Sequence, residues 1–419
     1  MRLAGPELPD RAGRTADGGI TGVLLLTVGA SVAAVALVQW AAARTGSSWA
    51  PGGDLAVYRE AAGAVLDGGS PYRVSRAGYG FVYPPFAALV LTPLALLGPT
   101  VGFWAWTVLS TLAVSAVVGL LVAHLAPHRS RPGPLAVGTA LVLPLSPVAG
   151  TLLLGNVNLL LLALVLVDLL RVPHRHRGVL VGIAAGIKLT PLIVVVYLLL
   201  TGRRRAGLTA LATFLGTVGA GFLFLPGAAA TFWGGAGLDG SRTRPPGEEA
   251  FGTSVRGAVL NLLPDPAHPV WLPLSALVGV VGLILAVRAS RRHEELTGLL
   301  VCAVTGLLVS PVTWYTHWVW CVPLLALLVA RPPGRGGRLA VGALWLVFAL
   351  PLPWWIVHVL GGVPLSERAW VRPVELLYTL VGAALLVGAA THLRRTGPAR
   401  TAAPAARPRP ATLDVAGRR

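Results

Sequence analysis

One carboxylate and a few isolated cations stand out against an otherwise apolar chain. Asp54 opens the stretch GGDLAVYREAAGAVLDGGSPY, the start of the longest polar interruption in the N-terminal half. A lone carboxylate there has the chemistry of a general base. Gly-Gly-Asp before a periodic run is equally a helix start, with Asp54 as its N-cap, although Val57 at the third helical position leaves no capping box. Lys188 is the only lysine in the chain and sits deep in GIAAGIKLTPLIVVVYLLL. An ammonium at that depth costs at least ~2.5 kcal/mol on insertion scales, so it needs a partner or a wet cavity. The partner is either Asp168, the only acid of the neighbouring apolar segment, or an anionic group such as a lipid phosphate. His317 lies in SPVTWYTHWVW. An interfacial aromatic belt accounts for Trp314, Trp318 and Trp320 but not for the histidine. It is a structural hydrogen-bonder or a ligand contact, and no HxH or HExxH pattern accompanies it to suggest zinc.

Arg256 belongs to GTSVRGAVLNLL, flanked by apolar residues. It suits an anion clamp, or is a solvated surface arginine. Tyr58 follows Asp54 by one helical turn and, with Tyr83 of the YPPF turn, is placed to line a sugar or acceptor site. Asn156 and Asn158 in GNVN have the chemistry to bond a sugar or to tie helices together, the second being the simpler role; Asn158 is kept as a candidate sugar or acceptor contact. Glu248, Glu249 and Asp239 lie in a Gly/Pro-rich stretch and read as solvated charges.

The elements that hold these residues are membrane helices. The chain has 419 residues, of which 55% are hydrophobic and only 12% charged. Soluble proteins carry about 25% charged residues. Apolar runs long enough to cross a ~30 Å hydrocarbon core recur from end to end. They lack the alternation of a closed barrel, so the fold class is an all-α polytopic membrane protein. The net charge of +18 comes from arginine clusters between apolar runs and in the tails. That is a positive-inside pattern and not a nucleic-acid footprint. Cys302 and Cys321 both lie in apolar runs, which excludes a disulfide framework. The first 19 residues carry acids and prolines, unlike a cleavable leader.

In order, residues 1–19 read as a cytoplasmic tail and 20–392 as the transmembrane domain, with outer loops at 44–83 and 227–269. Residues 393–419 read as a disordered basic cytoplasmic tail. Leu55, Tyr58, Ala62 and Val65 form one apolar stripe, which predicts an amphipathic helix along the membrane surface in the first outer loop. Counting 84–98 as a crossing gives about twelve spans. Without it there are eleven, and 178–201, broken at Lys188–Pro191, becomes re-entrant. Both counts put the termini inside and both long loops outside.

The ordered set of motifs resembles a known family. GGDLAVYREAAGAVLDGGSPY, FVYPPFAALVLTPLALLG, GNVNLLLLALV, GIAAGIKLTPLIVVVYLLL, GTSVRGAVLNLL and SPVTWYTHWVWCVPLLALL occur in the order seen in glycosyltransferase family 87, the actinobacterial polyprenol-phosphate-mannose-dependent α-1,2-mannosyltransferases. The resemblance covers about residues 20–390. It implies a C-type glycosyltransferase fold in the plasma membrane, with an active site facing outward. The partners it implies are a polyprenyl-phosphate sugar donor and a glycolipid or glycan acceptor.

On this resemblance the family's first-loop aspartate falls on Asp54, its KLTP lysine on Lys188 and its HHW-type histidine on His317. Thr316 stands where the family has the first histidine, and GNVN departs from the commoner GQ-x-N at Asn156. The reaction it suggests has Asp54 taking a proton from an acceptor hydroxyl while Lys188, Arg256 and His317 stabilise the departing phosphate. One carboxylate then suffices, where a hydrolase needs two. The scheme calls for no metal and no cofactor. Two alternatives remain open: a polyprenyl-phosphate-arabinose-dependent arabinofuranosyltransferase of the same fold, and a lipid-linked sugar transporter or flippase.

Overall fold

The computed structural model describes residues 11–45, 52–76, 78–129, 132–237, 252–263, 269–331, 334–350, 352 and 372–395. The side chains at 11–20, 39–45, 129, 236 and 372 are excepted. Most of both expected tails, the 46–51 part of the first outer loop, the 238–251 and 264–268 parts of the second with Asp239, Glu248 and Glu249, and most of 351–371 lie outside those residues.

The described chain is almost wholly helical. Helix α1 spans Arg11–Thr45, so it begins within the expected 1–19 tail. Helix α2 is Gly53–Leu66. A two-residue hairpin, β1 Ser75–Arg76 paired antiparallel with β2 Tyr79–Gly80, closes the strap that follows. Then come α3 Pro85–Val90, α4 Thr92–Leu96, α5 Pro99–Leu125, α6 Pro132–Val142, α7 Ser146–Leu154 and α8 Asn158–Leu170. The middle of the chain forms α9 Val179–Ile187, α10 Leu192–Leu200, α11 Arg204–Phe224, α12 Pro226–Thr231 and α13 Val255–Leu262. The last third forms α14 Trp271–Arg291, α15 Glu295–Val309, α16 Cys321–Ala330, α17 Arg335–Ala349, α18 Arg372–Glu375 and α19 Leu377–Arg395.

Among the described residues, five helices are long and apolar enough to cross a membrane. They are α1, α5, α11, α14 and α19, and there are six if α6 and α7, bent by 79° to each other, form one span. The expected count of about twelve is not what these helices show. The reason is local. Residues 84–98 form two short helices broken at Leu91–Pro93, because Pro93 cannot continue the ladder of α3. Residues 178–201 form two nine-residue helices, each covering about 13 Å, less than half the hydrocarbon thickness. Lys188 sits between them in extended conformation (φ −149°, ψ 133°).

Helix α2 packs its apolar face against protein. Leu55, Val57, Tyr58, Ala61 and Ala62 are all buried, a wider face than the predicted stripe, and they pack against α3, α4 and α7. Arg59 fixes the arrangement by donating from Nε to the carbonyl of Leu94 at 3.1 Å. Burying this face is what brings the first turn of α2, and Asp54 with it, up to the start of α8.

The hairpin α15–α16 runs through the middle of the helices. Gly282 of α14 and Gly298 of α15 allow the close approach: a Cβ on the first would stand 2.0 Å from Thr305 Oγ1, and one on the second 2.5 Å from the Tyr197 hydroxyl. At one end of this hairpin is a short 3-10 helix, Tyr315–Trp320, that carries His317.

Candidate active site

Asp54 is not the cap of α2. Gly52 occupies that position in left-handed conformation (φ 83°), and Asp54 lies in the first helical turn with no capping bond. Its carboxylate turns outward from the helix and accepts from Asn156 Nδ2 at 2.6 Å. Asn156 stands on a tight turn. Gly155 is left-handed (φ 70°), and a Cβ there would sit 2.7 Å from Leu55 Cβ. The main-chain N–H of Gly52 donates to Leu153 O at 2.7 Å. The GNVN turn is therefore fastened to α2 on both sides of Asp54.

From this turn a chain of contacts runs to the lysine. Asn156 Oδ1 accepts the main-chain N–H of Asn158 at 3.0 Å. Asn158 donates from Nδ2 to Thr316 O at 2.9 Å and accepts at Oδ1 from Lys188 Nζ at 2.9 Å. Lys188 Nζ lies 2.9 Å from His317 Nε2. It also stands 5.1 Å from the centre of the Tyr83 ring, within cation–π range. Tyr83 and Tyr58 join hydroxyl to hydroxyl at 2.8 Å, and Tyr72 donates to Tyr83 O at 2.8 Å. Asp54, Tyr58, Tyr83, Asn158, Lys188 and His317 thus meet in one network, although they come from five segments of the chain.

Asp168 is occupied elsewhere. It accepts the main-chain N–H groups of Gly178 at 2.7 Å and Val181 at 2.8 Å, so it caps the start of α9. The structural pairing with Lys188 is thereby excluded. Arg256 stands apart too. Its guanidinium lies 5.6 Å from the Trp271 ring, and no contact among the described residues joins it to the Asp54–Lys188–His317 network. The motif around it serves the site indirectly. Thr253 donates its N–H to Thr313 O at 2.7 Å, and its hydroxyl accepts from Trp318 Nε1 at 2.9 Å, which holds the 3-10 helix of His317 in place.

Burial divides the network. Lys188 is 7% exposed, Asn158 6% and Asn156 5%, whereas Asp54 and His317 keep part of their surface open. The most open groups of the network are thus the carboxylate and the imidazole. Burial pushes the Asp54 carboxyl above its ordinary 3.8, and the Asn156 hydrogen bond partly offsets that rise, as does Lys188 when it carries charge. Burial likewise raises the phenols of Tyr58 and Tyr83, the Asp54 charge adding to it, so both stay protonated donors. Beside Asn158 and His317 a cavity of about 50 Å³ is lined by Thr190, Ser310, Thr313 and apolar side chains of α8, α10 and α15. That is room for a few waters or a small anionic group.

Asn156 is the member that the sequence pattern undervalued. Its contact with Asp54 spans 102 residues, and only its place in the GNVN turn signalled it. Thr316 contributes its carbonyl, not its side chain, which is why the absent first histidine leaves this part of the network intact.

A sequence model of glycosyltransferase family 87 matches residues 81–311. A Mycobacterium tuberculosis (strain CDC 1551 / Oshkosh) protein named polyprenol-phosphate-mannose-dependent alpha-(1-2)-phosphatidylinositol pentamannoside mannosyltransferase is 34% identical over 295 residues, 69% of this chain and 68% of the relative. Its namesake in Mycolicibacterium smegmatis is 34% identical over 282 residues, 65% and 67% of the two chains. A second M. tuberculosis protein (strain H37Rv), named polyprenol-phosphate-mannose-dependent alpha-(1-2)-phosphatidylinositol mannoside mannosyltransferase, is 30% identical over 346 residues, 76% and 79% of the two chains. No solved structure matches the chain.

Proposed function

The chain belongs to glycosyltransferase family 87, and from that premise we propose that it transfers mannose from polyprenyl-phosphate-mannose to a phosphatidylinositol mannoside, forming an α-1,2 linkage. Of the three readings open in the sequence, relatives named as mannosyltransferases favour this one over arabinose transfer and over transport. The single observation that carries the mechanism is the bonded path from Asp54 through Asn156 and Asn158 to Lys188 and His317.

Asp54 is the base. Asn156 occupies Oδ2, which leaves Oδ1 to accept the proton of an acceptor hydroxyl as that oxygen attacks the anomeric carbon. Lys188 and His317 stabilise the charge that grows on the departing lipid phosphate. A phosphate leaves without an acid, so one carboxylate is enough. Attack opposite the phosphate inverts the anomeric centre, and a β-linked donor gives the α product. Tyr58, Tyr83 and Asn158 line the sugar and acceptor side. Arg256, at the Trp271 ring, is a donor-phosphate contact only if α13 moves toward the network, and it is the weakest member of the set.

The active site faces outward in this reading, on a C-type glycosyltransferase fold. The support is the hairpin α15–α16: the site stands at one end, while Arg203, Arg292 and Arg331 gather around Glu294, Glu295 and α19 at the other. A basic end belongs inside.

The test is transfer of radiolabelled mannose from the polyprenyl donor to phosphatidylinositol mannosides by the purified chain. An α-1,2-linked product is expected. Asp54→Asn should lower turnover by about 10²–10⁴-fold with donor binding kept, the range a general base supplies. Retained turnover in that variant would remove Asp54 from its role.

A further inference from the structure

The contacts of His317 locate its protons. The main-chain N–H of Trp314 donates to Nδ1 at 3.2 Å. An amide N–H only donates, so Nδ1 carries the lone pair and the imidazole proton is on Nε2. Nε2 stands 2.9 Å from Lys188 Nζ. An ammonium has no lone pair with which to accept that N–H. In this arrangement Lys188 is an amine: it accepts from His317 and donates to Asn158 Oδ1. The pair holds one proton fewer than a phosphate clamp requires.

We propose that the Lys188–His317 pair takes up one proton from water as the phosphodiester of the lipid-linked sugar binds, and releases it when the lipid phosphate leaves. The inference rests on the reading that these two residues contact the donor phosphate. The proton adds to the lone pair of Nζ. The Nε2–H, released from Nζ, turns to a phosphate oxygen, while Nδ1 keeps the Trp314 N–H. No bond of the donor breaks in this step. The charge of the pair rises from zero to +1 against the −1 of a diester.

Burial gives the physical reason. An unpaired ammonium in a dry site is costly, and an ammonium beside its counter-ion is much less so. Charging Lys188 only when an anion arrives avoids the unpaired state. The titratable groups around the pair are Asp54 on α2, whose charge reaches Lys188, and the hydroxyls of Tyr58, Tyr83 and Tyr315, each of which feels Asp54. Asp168 is turned away to the start of α9. Among the described residues Asp54 is therefore the one competitor for the proton.

The full-length chain in detergent micelles is titrated calorimetrically with farnesyl-phosphate-mannose. This diester has no proton of its own to exchange near neutrality. Runs at one pH in two buffers of different ionisation heat count the protons. Uptake approaching one proton per bound diester is expected, and affinity should fall about tenfold per pH unit where uptake is complete. Asp54→Asn should keep the uptake and Lys188→Gln should lose it.

Binding without proton exchange overturns the inference, because Lys188 is then already an ammonium. Uptake that vanishes in Asp54→Asn overturns it in favour of the carboxylate. ¹⁵N signals of the His317 ring in the unaltered chain give a reading free of variants. Protonated Nε2 with bare Nδ1 is expected before the diester is added, and the opposite tautomer overturns the inference. Absence of diester binding together with absence of mannosyl product would instead remove the donor-site reading beneath it.

Discussion

The two ends of the α15–α16 hairpin are both polar, and they are built on opposite rules. At the end marked by Glu294, that carboxylate accepts from Arg331 at 2.8 Å and His392 at 2.9 Å, and Arg203 pairs with Glu295. These are charges matched to charges, with Arg331 40% exposed and Glu294 21%. At the end marked by His317 a lysine that is 7% exposed meets two neutral partners, an asparagine carbonyl and an imidazole. Opposite charges in water hold helix ends together at little cost. A buried amine left without a carboxylate beside it is poorly explained by stability. The difference separates a fastening from a site.

Lys188→Met tests the comparison most severely. Transfer should drop by about 10²–10³-fold, the worth of a buried donor to a developing anion, while thermal unfolding stays cooperative. A drop below about tenfold would place Lys188 with the fastenings. Asn156→Ala should cost about 10-fold to 100-fold by letting the carboxylate swing. It should also move the pH–rate profile. Asp54 acts deprotonated, and burial already sets its carboxyl above 3.8, so the rate falls as pH drops through that raised value. Asn156 is one of the two influences that lower it; without it the acid limb shifts to higher pH. An unmoved limb would detach Asn156 from the base.

Gly155→Ala makes a left-handed residue of one that disfavours it and sets a Cβ against Leu55. A stability loss of about 1–3 kcal/mol by denaturant unfolding is expected, with transfer reduced because α2 shifts. Glu294→Gln is the smallest change. Transfer should hold, and stability should fall by about 1 kcal/mol or less. Burial pushes the Glu294 carboxyl up, but the His392 hydrogen bond and charge, Thr297 and Arg331 outweigh it and hold it low. Its contribution is therefore present above the unfolded carboxyl value and lost as pH falls through the folded one. The Gln variant should match the parent in acid and fall behind near neutrality; a constant gap would deny the ion pair.

Some of this was legible in the residues alone. The long spans α1, α5, α11, α14 and α19 declare themselves by apolar length. Lys188 and His317 declare themselves by being out of place. The breaks were harder. Pro93 and Pro191 mark where a ladder fails, but not whether the two halves still cross together. The role of Asn156 and the capping by Asp168 depend on which helix starts lie side by side, and no local spacing records that. Arg256 reads the same from sequence whether it meets an anion or the Trp271 ring.

The break at Lys188 has one more consequence. Each of the two helices that meet there, α9 and α10, ends with its own macrodipole. The carboxyl end of α9 presents partial negative charge to the residue that follows it, which is Lys188, and the amino end of α10 presents partial positive charge from the other side. Each end is worth about 0.3–1 kcal/mol to a matching charge. A cation and an anion meeting there are both favoured, in one orientation, by backbone that an unbroken helix would have kept bonded to itself.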